Sequence, residues 1–202
     1  MTEEIKFNKD THTYFLDDRK IPSVTQIISS AGLSDFSKVN QDILKRSQSF
    51  GSAAHLACQL FDENRLDMKS LDPALEPRLE AWILFKRDFG ITEFKEIEKQ
   101  VYSTKYQYAG CLDRLTMVNN KLTIIEIKTT TTMPKTTKLQ LAGYLIAFNE
   151  GKKFNEKIKN RIAVRLKGNG SYNTESYNDN IDISAFLGAL ALINWKKINN
   201  IT

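Results

Sequence analysis

The sequence predicts a mixed α/β fold in which a central β-sheet is flanked by helices and preceded by a helical segment. Three observations carry that prediction. Helix signals dominate residues 40–61 and 72–89, before the texture of the chain changes near residue 95. Three runs rich in Ile, Val, Tyr and Thr follow at 95–103, 108–118 and 122–128, the composition of strands. Beyond them helix and strand signals alternate, as they do when helices pack on a sheet.

Taken in order, Tyr14-Phe15-Leu16 and the polar Asp17-Asp18-Arg19-Lys20 read as a short strand and a turn. In the following Ile21-Pro22-Ser23-Val24-Thr25-Gln26-Ile27-Ile28, Ser23 or Thr25 can cap a short helix, because a side-chain oxygen there accepts an otherwise unpaired backbone N–H. The 40–61 helix carries Gly51 and His55. A second helix starts near Asp72, with Pro73 in its first turn, and stops at Gly90. After the three strands, a helix over 137–149 is closed by Gly151. Strands at 161–166 and 172–177 bracket the turn Lys167-Gly168-Asn169-Gly170. The last element, 182–197, places Ile183, Phe186, Leu187, Leu190 and Ile193 on one stripe. One domain over 1–202 is expected: a helical part to about 90, a sheet core at about 91–180 and a C-terminal helix at about 181–202.

Composition narrows the class. Of 202 residues, 41% are hydrophobic and 26% charged, enough for a sizeable core and against disorder. The net charge of +5 permits a polyanionic partner without requiring one. Cys58 and Cys111 are far apart and lack metal-finger spacing, which fits reduced thiols. The opening MTEEIKFNKD has no apolar signal core, and no apolar run approaches the roughly 20 residues of a membrane helix. An intracellular, cytoplasmic protein without membrane association is expected.

The most informative stretch runs from Gly110 to Lys128. Asn119 and Asn120 sit between two β-rich runs, and Asn tolerates the positive φ of a type I′ hairpin turn. With those two residues as the loop, Val118 faces Lys121 and Asp113 falls opposite Glu126. Opposed residues share a face, and the two-residue period adds Lys128 to it. Leu115, Met117, Leu122 and Ile124 are expected beneath this polar cluster, with Leu112, Ile125 and Ile127 on the other face. Two opposed carboxylates repel unless one is protonated or a cation intervenes. A hard divalent ion such as Mg²⁺ or Mn²⁺ suits oxygen ligands, and a nearby lysine can orient water or offset developing charge.

At this point the chain resembles the RecB-like and phage-exonuclease branch of the PD-(D/E)xK nuclease superfamily. The matching residues are Gly51-Ser52-Ala53-Ala54-His55, Gly110-Cys111-Leu112-Asp113, Glu126-Ile127-Lys128 and Gln140-Leu141-Ala142-Gly143-Tyr144, in that order. The segment from Ile21 to Ile28 is similar to one near the start of phage exonucleases and of the mitochondrial genome-maintenance exonuclease. The resemblance implies a restriction-endonuclease-like core. It also implies Asp113, Glu126 and His55 as metal ligands with the Ile127 carbonyl as a further one, and Lys128 as the group that positions water. Gln140 and Tyr144 resemble the pair that, in that family, braces the lysine and touches substrate phosphate. Glu98 is a candidate additional ligand. Two cysteines cannot supply the four thiolates of the iron–sulfur relatives, so no cluster is expected. Many relatives have an acid four residues after the helix histidine, where this chain has Gln59.

The reaction so implied is metal-assisted phosphodiester hydrolysis, by an exonuclease acting on DNA ends or single strands in replication, recombination or repair. An endonuclease, an RNA nuclease or a catalytically silent nucleic-acid-binding module are the alternatives. A recombination or single-strand-binding protein is a candidate partner. Ser23, Thr25, Thr129, Thr130, Lys135 and Lys138 are expected to contact DNA, together with Gln140 and Tyr144.

Overall fold

The computed structural model describes residues 5–8, 11, 13–34 and 39–201. Two sheets organise them. β1 (Ile5–Asn8), β2 (Thr13–Leu16) and β3 (Arg19–Ile21) form a small antiparallel sheet. The turn between β2 and β3 is made by Asp17 and Asp18, both in the left-handed region at φ 46° and 62°. β1 was not legible in the sequence, because four residues of alternating exposure carry too little periodic signal. The N-terminal part therefore combines this sheet with helices.

α1 (Val24–Ser30) opens with Ser23 as its cap: the Ser23 hydroxyl accepts the Gln26 N–H, and the Gln26 side chain accepts the Ser23 N–H. α2 (Gln41–Asp62) follows. α3 (Glu76–Asp88) begins four residues later than the sequence suggested. Asp72 makes a turn, its side chain accepting the Ala74 N–H and its carbonyl the Leu75 N–H, so Pro77 rather than Pro73 occupies the first helical turn.

The main sheet has the order β4 (Glu96–Ser103), β5 (Tyr108–Val118), β6 (Lys121–Lys128), β7 (Asn160–Leu166) and β8 (Tyr172–Ser176). All pairings are antiparallel except β6 with β7, which run parallel and are joined across α4 (Thr137–Asn149). α5 (Ile181–Ile198) closes the chain. This is a mixed five-stranded sheet flanked by helices on both faces, as expected. On one face Val24, Ile27, Leu141, Phe186 and Leu190 of α1, α4 and α5 pack on Leu115 and Ile124. On the other, Cys58, Leu79, Trp82 and Phe85 of α2 and α3 pack on Ile125, Ile127 and Val164. Cover on both sides explains why β6 reads as a nearly unbroken apolar run. Among the described residues no helix is long and apolar enough to cross a membrane.

Candidate active site

The β5–β6 hairpin turns at Asn119 and Asn120, both left-handed at φ 49° and 59°, and Val118 pairs with Lys121. The ladder continues in that register to Arg114 opposite Ile125 and stops one residue short of the Asp113–Glu126 position. There Asp113 Oδ2 accepts the Ile127 backbone N–H at 2.7 Å, so a side chain replaces the main-chain ladder. The strand's alternation also slips at this point. Leu112 joins the same core as Leu115, three residues on, instead of facing Ile125 and Ile127 as expected. The neighbouring strand is distorted alongside: Glu98 lies mid-strand with φ 48°, a conformation that non-glycine residues hold only at a cost of roughly 1–3 kcal/mol. Met117, expected beneath the cluster, is exposed.

Around this dislocation the structure gathers side chains from five elements. His55 from α2 points Nε2 at the Ile127 carbonyl, 3.1 Å away, and Nδ1 at Asp113 Oδ1, 3.6 Å away. A carbonyl only accepts, so Nε2 carries the proton of the neutral ring. Burial lowers the His55 pKa and keeps the ring neutral. The Nδ1 lone pair then faces a carboxylate oxygen, and only a cation or a proton between them relieves that opposition. Glu98 adds a third donor: ligating atoms of His55, Glu98 and Asp113 all lie within 4.8 Å of one another. The Ile127 carbonyl, expected as a ligand, is engaged by His55 in this arrangement.

Glu126 stands beside this trio, 2% exposed. Its Oε1 accepts from Lys128 Nζ at 2.8 Å, while Oε2 is buried with no hydrogen-bond partner. Lys128 Nζ also donates to Gln140 Oε1 at 2.9 Å, and Gln140 Nε2 donates to the Tyr144 hydroxyl at 2.9 Å. Gln140 and Tyr144, four apart on α4, thereby fix the lysine from above the sheet. Gly110 makes this possible. A Cβ there would lie 2.4 Å from Tyr144 Cε1 and 3.3 Å from Val24 Cγ2.

The donor set fits a divalent cation. A neutral imidazole, three carboxylates and an unpartnered buried oxygen form a site with surplus negative charge and free lone pairs. Burial and the neighbouring Glu98 push Asp113 up to about 7; burial and Asp113 push Glu126 up to about 7. Burial and their mutual repulsion make this coupled pair hold protons in the folded chain to higher pH than in the unfolded chain, whose carboxyls ionise near their ordinary values of 3.8 and 4.5. The folded state binds more protons in that window, so metal-free stability contributed by this pair falls as pH rises through it and levels off above. Thermal unfolding in chelator from about pH 5 to 8 is expected to show this decline, and Asp113→Asn/Glu126→Gln to flatten it. A variant whose pH profile parallels wild type would contradict the assignment.

The site opens into a cleft of about 780 Å³. Ser23, Thr25, Thr129 and Thr130 line it, as do Gln140 and Tyr144. The Ser23 hydroxyl is occupied as a helix cap. Lys135 and Lys138 are not among the lining residues, and Lys138 lies 3.8 Å from the Asp182 carboxylate.

One part of the site was missed in the sequence. Arg114, fully buried, donates to the Asp113 carbonyl at 2.7 Å, to Glu98 Oε1 at 2.9 Å and to Asp62 Oδ2 at 2.8 Å. Asp62, at the end of α2, also accepts from Trp82 Nε1 and Lys86 Nζ. These residues are up to 52 positions apart, and no periodicity links them.

No protein-family model matches this sequence, and neither does any curated protein. Among solved structures it resembles an alkaline exonuclease from Laribacter hongkongensis, with 15% identity and a TM-score of 0.41 over 88% of this chain and 92% of that one. It also resembles a protein designated an exonuclease from Eubacterium rectale, with 11% identity and a TM-score of 0.47 over 90% and 75% of the two chains. Identity this low says nothing of activity, which has to come from the side chains themselves.

Proposed function

We propose that this chain is a metal-dependent deoxyribonuclease of the PD-(D/E)xK superfamily, hydrolysing phosphodiester bonds at DNA ends or in single strands. The observation that carries this reading is a buried, cation-deficient carboxylate cluster beside a lysine fixed by two acceptors, at the floor of an open cleft.

His55, Glu98, Asp113 and Glu126 would hold Mg²⁺ or Mn²⁺. Bound there, the ion would supply Lewis acidity and offset the charge that phosphodiester hydrolysis builds up. The remaining work falls to the chain. Lys128 keeps its proton, since Glu126 and Asp113 raise its pKa against the opposing effect of burial. Its Nζ, oriented by Glu126 and Gln140, can hold an attacking water and stabilise the oxygens of the phosphorane. The hydroxyls of Thr25 and Thr129 offer donors to non-bridging phosphate oxygens along the cleft, whereas the Thr130 hydroxyl is spent on the Thr132 carbonyl. The preference for DNA, and for ends over internal bonds, rests on the sequence motifs alone.

The test incubates purified protein with labelled linear and circular DNA, single- and double-stranded, and with RNA, in Mg²⁺, Mn²⁺ or chelator. Metal-dependent shortening of linear DNA that Asp113→Asn abolishes is the expected result. Cleavage of closed circles would replace the exonuclease with an endonuclease. Intact substrates in every mixture would leave a binding module.

A further inference from the structure

The lysines expected to contact DNA lie off the cleft lining, and so do Arg78 and Arg165, but these two arginines neighbour residues that line it. We propose that Arg78 and Arg165 form a phosphate-binding subsite that holds the nucleic-acid backbone next to the scissile bond. The proposal rests on the nuclease reading above and extends it to residues that none of the motifs include.

Position comes first. Arg165 on β7 is the register partner of Lys128 on β6, so their backbones are about 4.8 Å apart across the sheet. Its guanidinium donates to the carbonyl of Thr131, one residue past the cleft-lining Thr129 and Thr130. Arg78, in the first turn of α3, lies over the Phe50 ring at 5.5 Å. Phe50 precedes Gly51, which lines the cleft, and a Cβ on Gly51 would touch Thr129 Oγ1 at 3.5 Å. Both arginines thus neighbour the place where α2 meets the Thr129–Thr131 loop.

Charge comes second. Burial and the nearby Arg165 both lower the pKa of Arg78. Arg78 Nε is buried with no hydrogen-bond partner. Among the described residues neither arginine forms an ion pair with a carboxylate. The helix terminus adds nothing favourable, because a cation in the first turn opposes the helix dipole. Two guanidiniums that repel one another, with no carboxylate paired to either among the described residues, weaken the fold unless an anion offsets them. A phosphodiester, with one charge shared over two free oxygens, matches the guanidinium fork.

Space comes third. A Cβ at Gly168 would stand 2.6 Å from Arg78 Nη1, so the β7–β8 turn is kept bare where the guanidinium sits. Gly168→Ala therefore displaces the guanidinium while leaving every charge in place.

The experiment is fluorescence anisotropy of a short labelled oligodeoxythymidylate in chelator across a salt series, with metal-dependent cleavage assayed in parallel. Arg78→Gln and Arg165→Gln are each expected to weaken binding about tenfold. The slope of log affinity against log salt should become shallower by about 0.7 for each lost phosphate contact. Gly168→Ala should weaken binding in the same direction. Lys196→Gln/Lys197→Gln, at the far end of α5, removes two charges and should leave affinity unchanged. Without DNA, Arg78→Gln should unfold at or above the wild-type temperature, since it relieves repulsion; a purely structural arginine would give a lower Tm and unaltered binding. Wild type that binds and cleaves, with both arginine variants matching its affinity and salt slope, overturns the subsite and leaves the nuclease reading standing. Wild type that neither binds nor cleaves overturns both.

Discussion

Lys128→Ala is expected to lower metal-dependent cleavage by about two to three orders of magnitude, the usual cost of removing one donor aimed at transition-state charge. Lys128 Nζ is held at two points, 2.8 Å from Glu126 Oε1 and 2.9 Å from Gln140 Oε1, so its charge is pre-placed before substrate arrives. Binding of Mn²⁺ should survive the substitution and strengthen, because the lysine competes with the metal for the same carboxylates. That split separates a lysine acting on the reaction from one that only neutralises Glu126. Lys128→Arg should recover little, since a planar fork cannot reproduce a compact ammonium between these two acceptors. Calorimetric titration of Mn²⁺ together with single-turnover cleavage checks both halves. Near-wild-type turnover in Lys128→Ala would remove the lysine from the mechanism.

How much of this was legible in the sequence depends on the range of the interaction. The Asn119–Asn120 turn fixed the register of β5 and β6, and with it the proximity of residues 113, 126 and 128, because hairpin geometry is local. The same rule failed one step further on. It assumed unbroken alternation, whereas Asp113 breaks the ladder by taking the Ile127 N–H, and Leu112 turns to the opposite core. A carboxylate that caps a backbone donor inside a sheet leaves no mark in a hydrophobic pattern. The four-residue spacing of Gln140 and Tyr144 foretold their shared helix face, but not that Gly110 on another strand makes room for the tyrosine ring. Charge was the least legible of all. Runs of lysine suggested a DNA track; Lys138 lies beside Asp182 on α5, and the two arginines of the proposed subsite, which form no ion pair with a carboxylate among the described residues, are 87 residues apart. Linear clustering of charge reports composition; a subsite for one phosphate needs convergence from separate elements.

The largest loss of stability is expected from Asp62→Ala, at about 3–5 kcal/mol, because it removes one of the two carboxylates paired with a buried guanidinium. Asp62 has a fully buried carboxylate that accepts from Arg114 Nε at 2.8 Å, Lys86 Nζ at 2.7 Å and Trp82 Nε1 at 3.0 Å. Arg114 in turn holds the Asp113 carbonyl and one oxygen of Glu98, whose left-handed backbone is maintained against its own preference. Loss of Asp62 should therefore reach the metal site through Arg114, weakening Mn²⁺ binding although no proposed ligand is touched. Asp62→Asn keeps the shape and can still accept from Trp82 or Arg114, but not with a full charge, so its cost should fall between wild type and alanine. A coupled effect has a distinctive signature in a double-mutant cycle: once Glu98→Gln is present, Asp62→Asn should reduce metal affinity little further, while its effect on folding persists. Denaturant unfolding in chelator and Mn²⁺ titration of the four proteins measure the two couplings separately. If Asp62→Ala costs less than about 1 kcal/mol, the buried network does not anchor the site, since taking a carboxylate from a desolvated charge cannot be that cheap.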